Sequence, residues 1–139
     1  MSEEPVIVSA DSPKTARRSR LHESAIGVRR LASAWGAVNL LLIVFLLVGE
    51  LTAGGRGPSA REWLGLALWP IGVGIGLIFC WFHARLGGWI TLGSLVAFYL
   101  WNLYAVGSFP RGPYFILFAA PGALYLLADW MLRRAARAA

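Results

Sequence analysis

Four stretches of this chain contain no Asp, Glu, Lys or Arg: 31–49, 63–84, 86–110 and 112–128. A helix crosses the roughly 30 Å hydrocarbon core of a bilayer with about 20 apolar residues. Each stretch is long enough to do so. The chain therefore reads as an all-α, integral membrane four-helix bundle, with crossings at about 30–51, 62–83, 88–107 and 113–133. Composition agrees: of 139 residues, 58% are hydrophobic and 14% charged, against roughly 45–50% and 25% in soluble domains.

The basic residues set the expected topology. Lys14, Arg17, Arg18, Arg20, Arg29 and Arg30 precede the first crossing, Arg85 follows the second, and Arg133, Arg134 and Arg137 follow the fourth. Only Arg56, Arg61 and Arg111 fall in the other two loops. The positive-inside rule then puts both termini in the cytoplasm. The pI of about 10.5 reflects this topological bias, and the basic tail is positioned to lie against anionic lipid head groups; no nucleic acid partner is expected. The first apolar run, Leu31 to Val48, exceeds the roughly 7–15 residues of a signal-peptide core and is read as an uncleaved helix. Residues 1–25, rich in Ser, Pro and charge, are expected to be a disordered basic tail, its end joining the first helix from about Ser24. Residues 26–139 form the membrane domain.

Local signals mark the loops. Ser59 and Glu62 match the S-x-x-E capping box, which gives Glu62 a structural task. Pro110 and Pro113 punctuate the third loop. "CWFHARLGGWIT", Cys80 to Thr91, reads as the turn between crossings two and three, with Gly87 and Gly88 supplying its permissive backbone. Trp35, Trp63, Trp81, Trp89, Tyr104, Tyr114 and Trp130 fall near helix ends, as an interfacial aromatic belt requires.

Helices in lipid associate through close packing of small residues and through interhelical hydrogen bonds. Projected at 100° per residue, Ala32, Gly36, Asn39 and Glu50 share one side of the first helix. Gly65, Gly72, Gly76 and His83 share one side of the second, with Pro70 placed to kink it. Ala119, Gly122, Asp129 and Arg133 line up on the fourth. The third offers Gly93 and Ala97 on one face and Asn102 nearly opposite. "PIGVGIG", Pro70 to Gly76, lacks the spacing of a phosphate-binding loop and reads as a packing face.

Few polar residues remain as candidates for function. Glu50 is a solvated helix end, a partner for Arg56, Arg61 or Arg111, or a proton or cation site at an external mouth. Asn39 and Asn102 are the deepest polar side chains and are expected to cross-link helices. Asp129 and Arg133 stand at i,i+4. His83 continues the glycine stripe of the second helix, pointing inward towards Asp129, but no second histidine lies in the membrane domain to share a metal or haem; His22 is in the tail. The lone Cys80 excludes an internal disulfide and a CxxC pair. No catalytic constellation or metal-ligand set is recognisable, and no cofactor is expected.

The order "VGE" (48–50), "PSAREWL" (58–64), "WPIGVGIGL" (69–77), W-x-x-x-x-x-GG (81–88), "LVAFYL" (95–100) and "FAAPGALYLL" (118–127) resembles a family of small, uncharacterised bacterial four-helix membrane proteins, a domain of unknown function. The resemblance covers roughly residues 30–132 and implies the fold but no reaction. That family's turn carries an acid, as W-x-W-E-x-x-GG; here Phe82, His83 and Ala84 occupy those positions and the acid is missing.

These features favour a bacterial inner-membrane protein that acts as a non-enzymatic accessory or assembly subunit. Its partners would be the lipid bilayer and other membrane proteins or further copies of itself. One alternative is a small proton-coupled transporter acting as an oligomer, by analogy with four-helix multidrug exporters that hold an essential carboxylate deep in helix one. Another is a lipid-acting enzyme, which would need Asn39, Glu50 and Arg111 to converge.

Overall fold

The computed structural model describes residues 13–52, 54 and 57–137. Helix α1 spans Pro13–Thr52. The second crossing is assembled from α2 (Ala60–Leu66), a kinked segment (Ala67–Gly72) and α3 (Val73–Phe82). Helices α4 (Ala84–Val106) and α5 (Tyr114–Arg137) complete the chain. Four helical segments are long and apolar enough to cross a membrane. Helix α5 lies between α1 and α4, and α4 packs in turn on α3.

Helix α1 starts well before Ser24. The expected disordered tail is therefore helical from Pro13 onward, and the part of that expectation concerning residues 1–12 lies outside the described residues. Proline suits a first helical position because its missing N–H has no partner there anyway. Extending a helix already nucleated in the membrane adds one hydrogen bond for each residue ordered. Ala25 is completely buried, so this extension also packs.

The buried positions of α1 are Ala25, Ala32, Gly36, Asn39 and Ile43, a spacing of sevens split into fours and threes that keeps one seam facing its neighbour. Helix α5 runs antiparallel against this seam. Ser33 Oγ lies 2.7 Å from Tyr125 Oη; a Cβ on Gly36 would lie 3.8 Å from Pro121 Cβ; and Asn39 reaches Phe118. The start of α1 and the end of α5 thus share one end of the bundle, here the terminal end. The other is the loop end.

The α3–α4 pair approaches more closely. Built on Gly87, a Cβ would lie 2.2 Å from Cys80 N; on Gly76, 2.6 Å from Thr91 N; and on Gly72, 2.7 Å from Ser94 Oγ. Those three pairs mark one antiparallel register. Thr91, fully buried, sits at the crossing of three helices: its Cβ would be 2.8 Å from a methyl on Gly122 of α5, and its hydroxyl donates to Gly87 O at 2.9 Å.

Gly87 and Gly88 are therefore packing residues inside α4, not the turn. The chain reverses one turn earlier, at His83 (φ −137°, ψ 84°). A turn at the glycines would separate the backbones that their missing side chains allow to touch. Gly93, expected on a packing face, is exposed, and a Cβ added there would meet nothing within 4 Å; the small face of α4 that packs is Gly87, Thr91 and Ser94. Gly65 has only Trp101 Nε1, at 3.9 Å, beside it. At the loop end, Gly107 (φ +71°) closes α4 in the left-handed conformation.

Candidate functional site

The polar residue deepest in the bundle is Asn39, 4% exposed. Its Nδ2 donates to Phe118 O at 3.0 Å and lies 3.5 Å from Leu117 O. The origin is Pro121. A proline inside a helix supplies no N–H to the carbonyl four residues earlier, and for Pro121 that carbonyl is Leu117 O. In lipid such a group needs another partner. Asn39 supplies one from the neighbouring helix, and Gly36, one turn away, lets the chains close. This residue cross-links as expected, and its amide N–H groups are occupied by structure.

Asn102 behaves differently. Its Nδ2 donates to Phe98 O at 3.1 Å, within its own helix, so the expected interhelical cross-link is not made. It faces the shallower loop-end surface, where a cavity of about 260 Å³ is lined by Arg61, Glu62, Gly65, Phe98, Trp101, Asn102, Ala105 and Val106. Arg61 donates through Nη2 to Ala105 O and ties α2 to the end of α4.

A second cavity of about 420 Å³ adjoins it, sharing Glu62, Gly65 and Phe98 and adding Glu50, Pro58, Leu66 and Trp69. Glu50 is exposed at the last turn of α1. Among the described residues it makes no ion pair with Arg61 or Arg111; Arg111 is exposed in the α4–α5 loop. Glu62 completes the capping box: its Oε2 accepts from Ser59 N at 2.7 Å, and its own N–H donates to Ser59 Oγ at 3.4 Å.

Trp69, which lines this cavity, marks where the second crossing breaks. Trp69 is extended (φ −144°, ψ 127°) inside otherwise helical chain, because proline disfavours helical dihedrals at the residue before it. The displaced indole packs among Phe98, Phe115 and Phe118, with ring centroids 5.8, 4.9 and 5.7 Å away. Tyr99 extends the cluster, 6.1 Å from Phe115. Among the described residues, Trp69 Nε1 is the buried side-chain polar atom without a hydrogen-bond partner. Pro70 signalled a kink; nothing local announced the aromatic cluster, whose members come from three crossings.

At the terminal end, Arg133 Nε donates to Asp129 Oδ2 at 2.7 Å, the expected i,i+4 pair. His83 is exposed and makes no hydrogen bond with Asp129. The inward reading of His83 is thereby corrected: the helix break at His83 takes it off the glycine stripe that Gly72 and Gly76 continue through Cys80. Glu50 and Asn39 lie eleven residues apart on α1, about 16 Å along its axis, and Asn39 is not among the residues that line the cavity at Glu50. No group of three or more His, Cys, Asp or Glu side chains converges on a metal-sized site among the described residues.

No protein-family model matches this chain, and comparisons with curated proteins and with solved structures likewise return no match.

Proposed function

We propose that this chain is a multi-pass protein of the bacterial inner membrane, with both termini in the cytoplasm, that works as a non-enzymatic accessory or assembly subunit of a larger membrane complex. The observation that carries this reading is the length of α1. Its 40 residues extend about 60 Å, twice the roughly 30 Å hydrocarbon core. The half preceding Leu31 bears exposed Arg17, Arg20, Arg29 and Arg30, which suit head groups and aqueous partners better than acyl chains. A helical arm continuous with a transmembrane helix holds its side chains in fixed orientation to the bundle, as a docking element requires. The resemblance of residues 30–132 to small bacterial membrane proteins is consistent with this placement. The test is photo-crosslinking from Arg20 and from lipid-facing Phe45 in native membranes. A stoichiometric adduct at Arg20, lost in an Arg17→Glu/Arg29→Glu variant, supports the subunit reading; a chain that purifies alone and gives no adduct from either position refutes it.

One observation favours a second reading, a small cation transporter acting as an oligomer. The loop-end cavity combines Glu50 with Trp69, whose indole N–H lacks a partner, at a broken transmembrane helix. Interrupted crossings form many transporter sites. Proton-coupled uptake of an organic cation into proteoliposomes, abolished by Glu50→Gln, would establish it; equal uptake by protein-free vesicles would remove it.

A further inference from the structure

The terminal end carries a cleft that neither reading uses. It has a volume of about 350 Å³ and is lined by Arg85 and Trp89 from the first two turns of α4 and by Leu126, Asp129, Trp130, Arg133 and Arg137 from α5. We propose that this cleft binds the phosphate of an anionic phospholipid from the adjacent leaflet.

Charge is the first argument. Three guanidinium groups face one carboxylate. Asp129 engages Arg133 through Nε, which leaves the terminal N–H groups of Arg133 available. Among the described residues, Arg85 and Arg137 have no carboxylate partner. A further cation stands beside them: the Arg134 guanidinium lies 3.9 Å from the centre of the Trp130 ring. Forked guanidinium donors match the oxygen geometry of a phosphodiester.

The apolar lining decides between a lipid and a free anion. Leu126, Trp89 and Trp130 line the same cleft as the arginines, and tryptophan at the end of a membrane helix sits at the depth of the glycerol and head-group region. The wall between the two helices is also firmly built. Gly88 brings α4 against α5 so closely that a Cβ there would be 2.6 Å from Leu126 Cγ and 2.9 Å from Gly122 O. A phosphate held at the rim therefore leaves its acyl chains beside an apolar wall, whereas free phosphate would gain nothing from it. Basic clefts between helices at this depth suit anionic head groups.

The full chain in detergent, titrated with phosphatidylglycerol or phosphatidylcholine of matched acyl chains and read by native mass spectrometry, tests the proposal. Phosphatidylglycerol should bind more tightly, and Arg85→Gln/Arg137→Gln should weaken that binding by about 30-fold with phosphatidylcholine binding unchanged. Arg85→Lys/Arg137→Lys should recover at least half of the loss on a logarithmic scale, since the charge returns. Arg17→Gln/Arg20→Gln, which removes equal charge from the same end, should stay within about twofold of the parent. Four results would overturn the proposal: no preference between the lipids, an equal loss in the Arg17/Arg20 variant, no recovery by lysine, or displacement of the lipid by millimolar inorganic phosphate.

Discussion

One methyl group at Gly87 should separate α3 from α4. In the native packing a Cβ on Gly87 would stand 2.2 Å from Cys80 N, 2.6 Å from Cys80 Cα and 2.6 Å from Gly76 O. All three are backbone atoms, so no side-chain rotation relieves the overlap. Reaching ordinary contact at 3.4 Å requires a displacement of about 1.2 Å. That movement would also open the Gly76–Thr91 and Gly72–Ser94 contacts, which lie in the same register. Overpacking typically costs about 1–3 kcal/mol, and a rigid backbone clash belongs at the upper end, near 3 kcal/mol. Gly93→Ala is the internal control, on the same helix but exposed and with open space around the new methyl. It should be neutral or stabilising by up to about 1 kcal/mol, the difference in helix propensity. Reversible unfolding in mixed micelles, followed by the fluorescence of the seven tryptophans, measures both variants. Equal stability of Gly87→Ala and Gly93→Ala would refute the assignment of Gly87 to a close helix crossing and restore the turn reading.

Further outcomes are expected. Asn39→Leu should destabilise by about 0.6–2 kcal/mol; in a double-mutant cycle with Pro121→Ala, which returns an N–H to Leu117 O, much of that loss should disappear, and strict additivity would argue against the pairing. His83→Ala should change stability by less than about 0.5 kcal/mol, because the side chain is exposed and unbonded to Asp129; a larger loss in the same unfolding assay would reinstate an inward contact. In a Cys80→Ala background, Arg111→Cys should react with a membrane-impermeant maleimide in intact spheroplasts, and Arg20→Cys only after permeabilisation; the reverse pattern would invert the proposed topology.

Some of the molecule could be read without coordinates. Charge-free length locates the crossings because transfer into hydrocarbon acts on each segment alone, whatever its neighbours do. The Ser59–Glu62 box and the Asp129–Arg133 pair were legible for the same reason: their partners are three and four residues apart on one helix. Pro70 marked the break in the second crossing, since proline constrains its own chain. Asn39 was readable as a cross-linker from its depth, but its acceptors were not.

Contacts between helices escaped this kind of reading. Gly87, Gly88 and Gly93 are equivalent in hydropathy and in conformational freedom, yet two lie against another backbone and the third faces outward. Asn39 and Asn102 are chemically alike, yet one meets two carbonyls of another helix, Leu117 O freed by Pro121 among them, and the other bonds to its own. His83 left the glycine stripe because the chain turned there and not at the glycines. Segment hydropathy adds up residue by residue along a chain, whereas close approach depends on the joint position of two surfaces, and that position exists only once the four helices have packed.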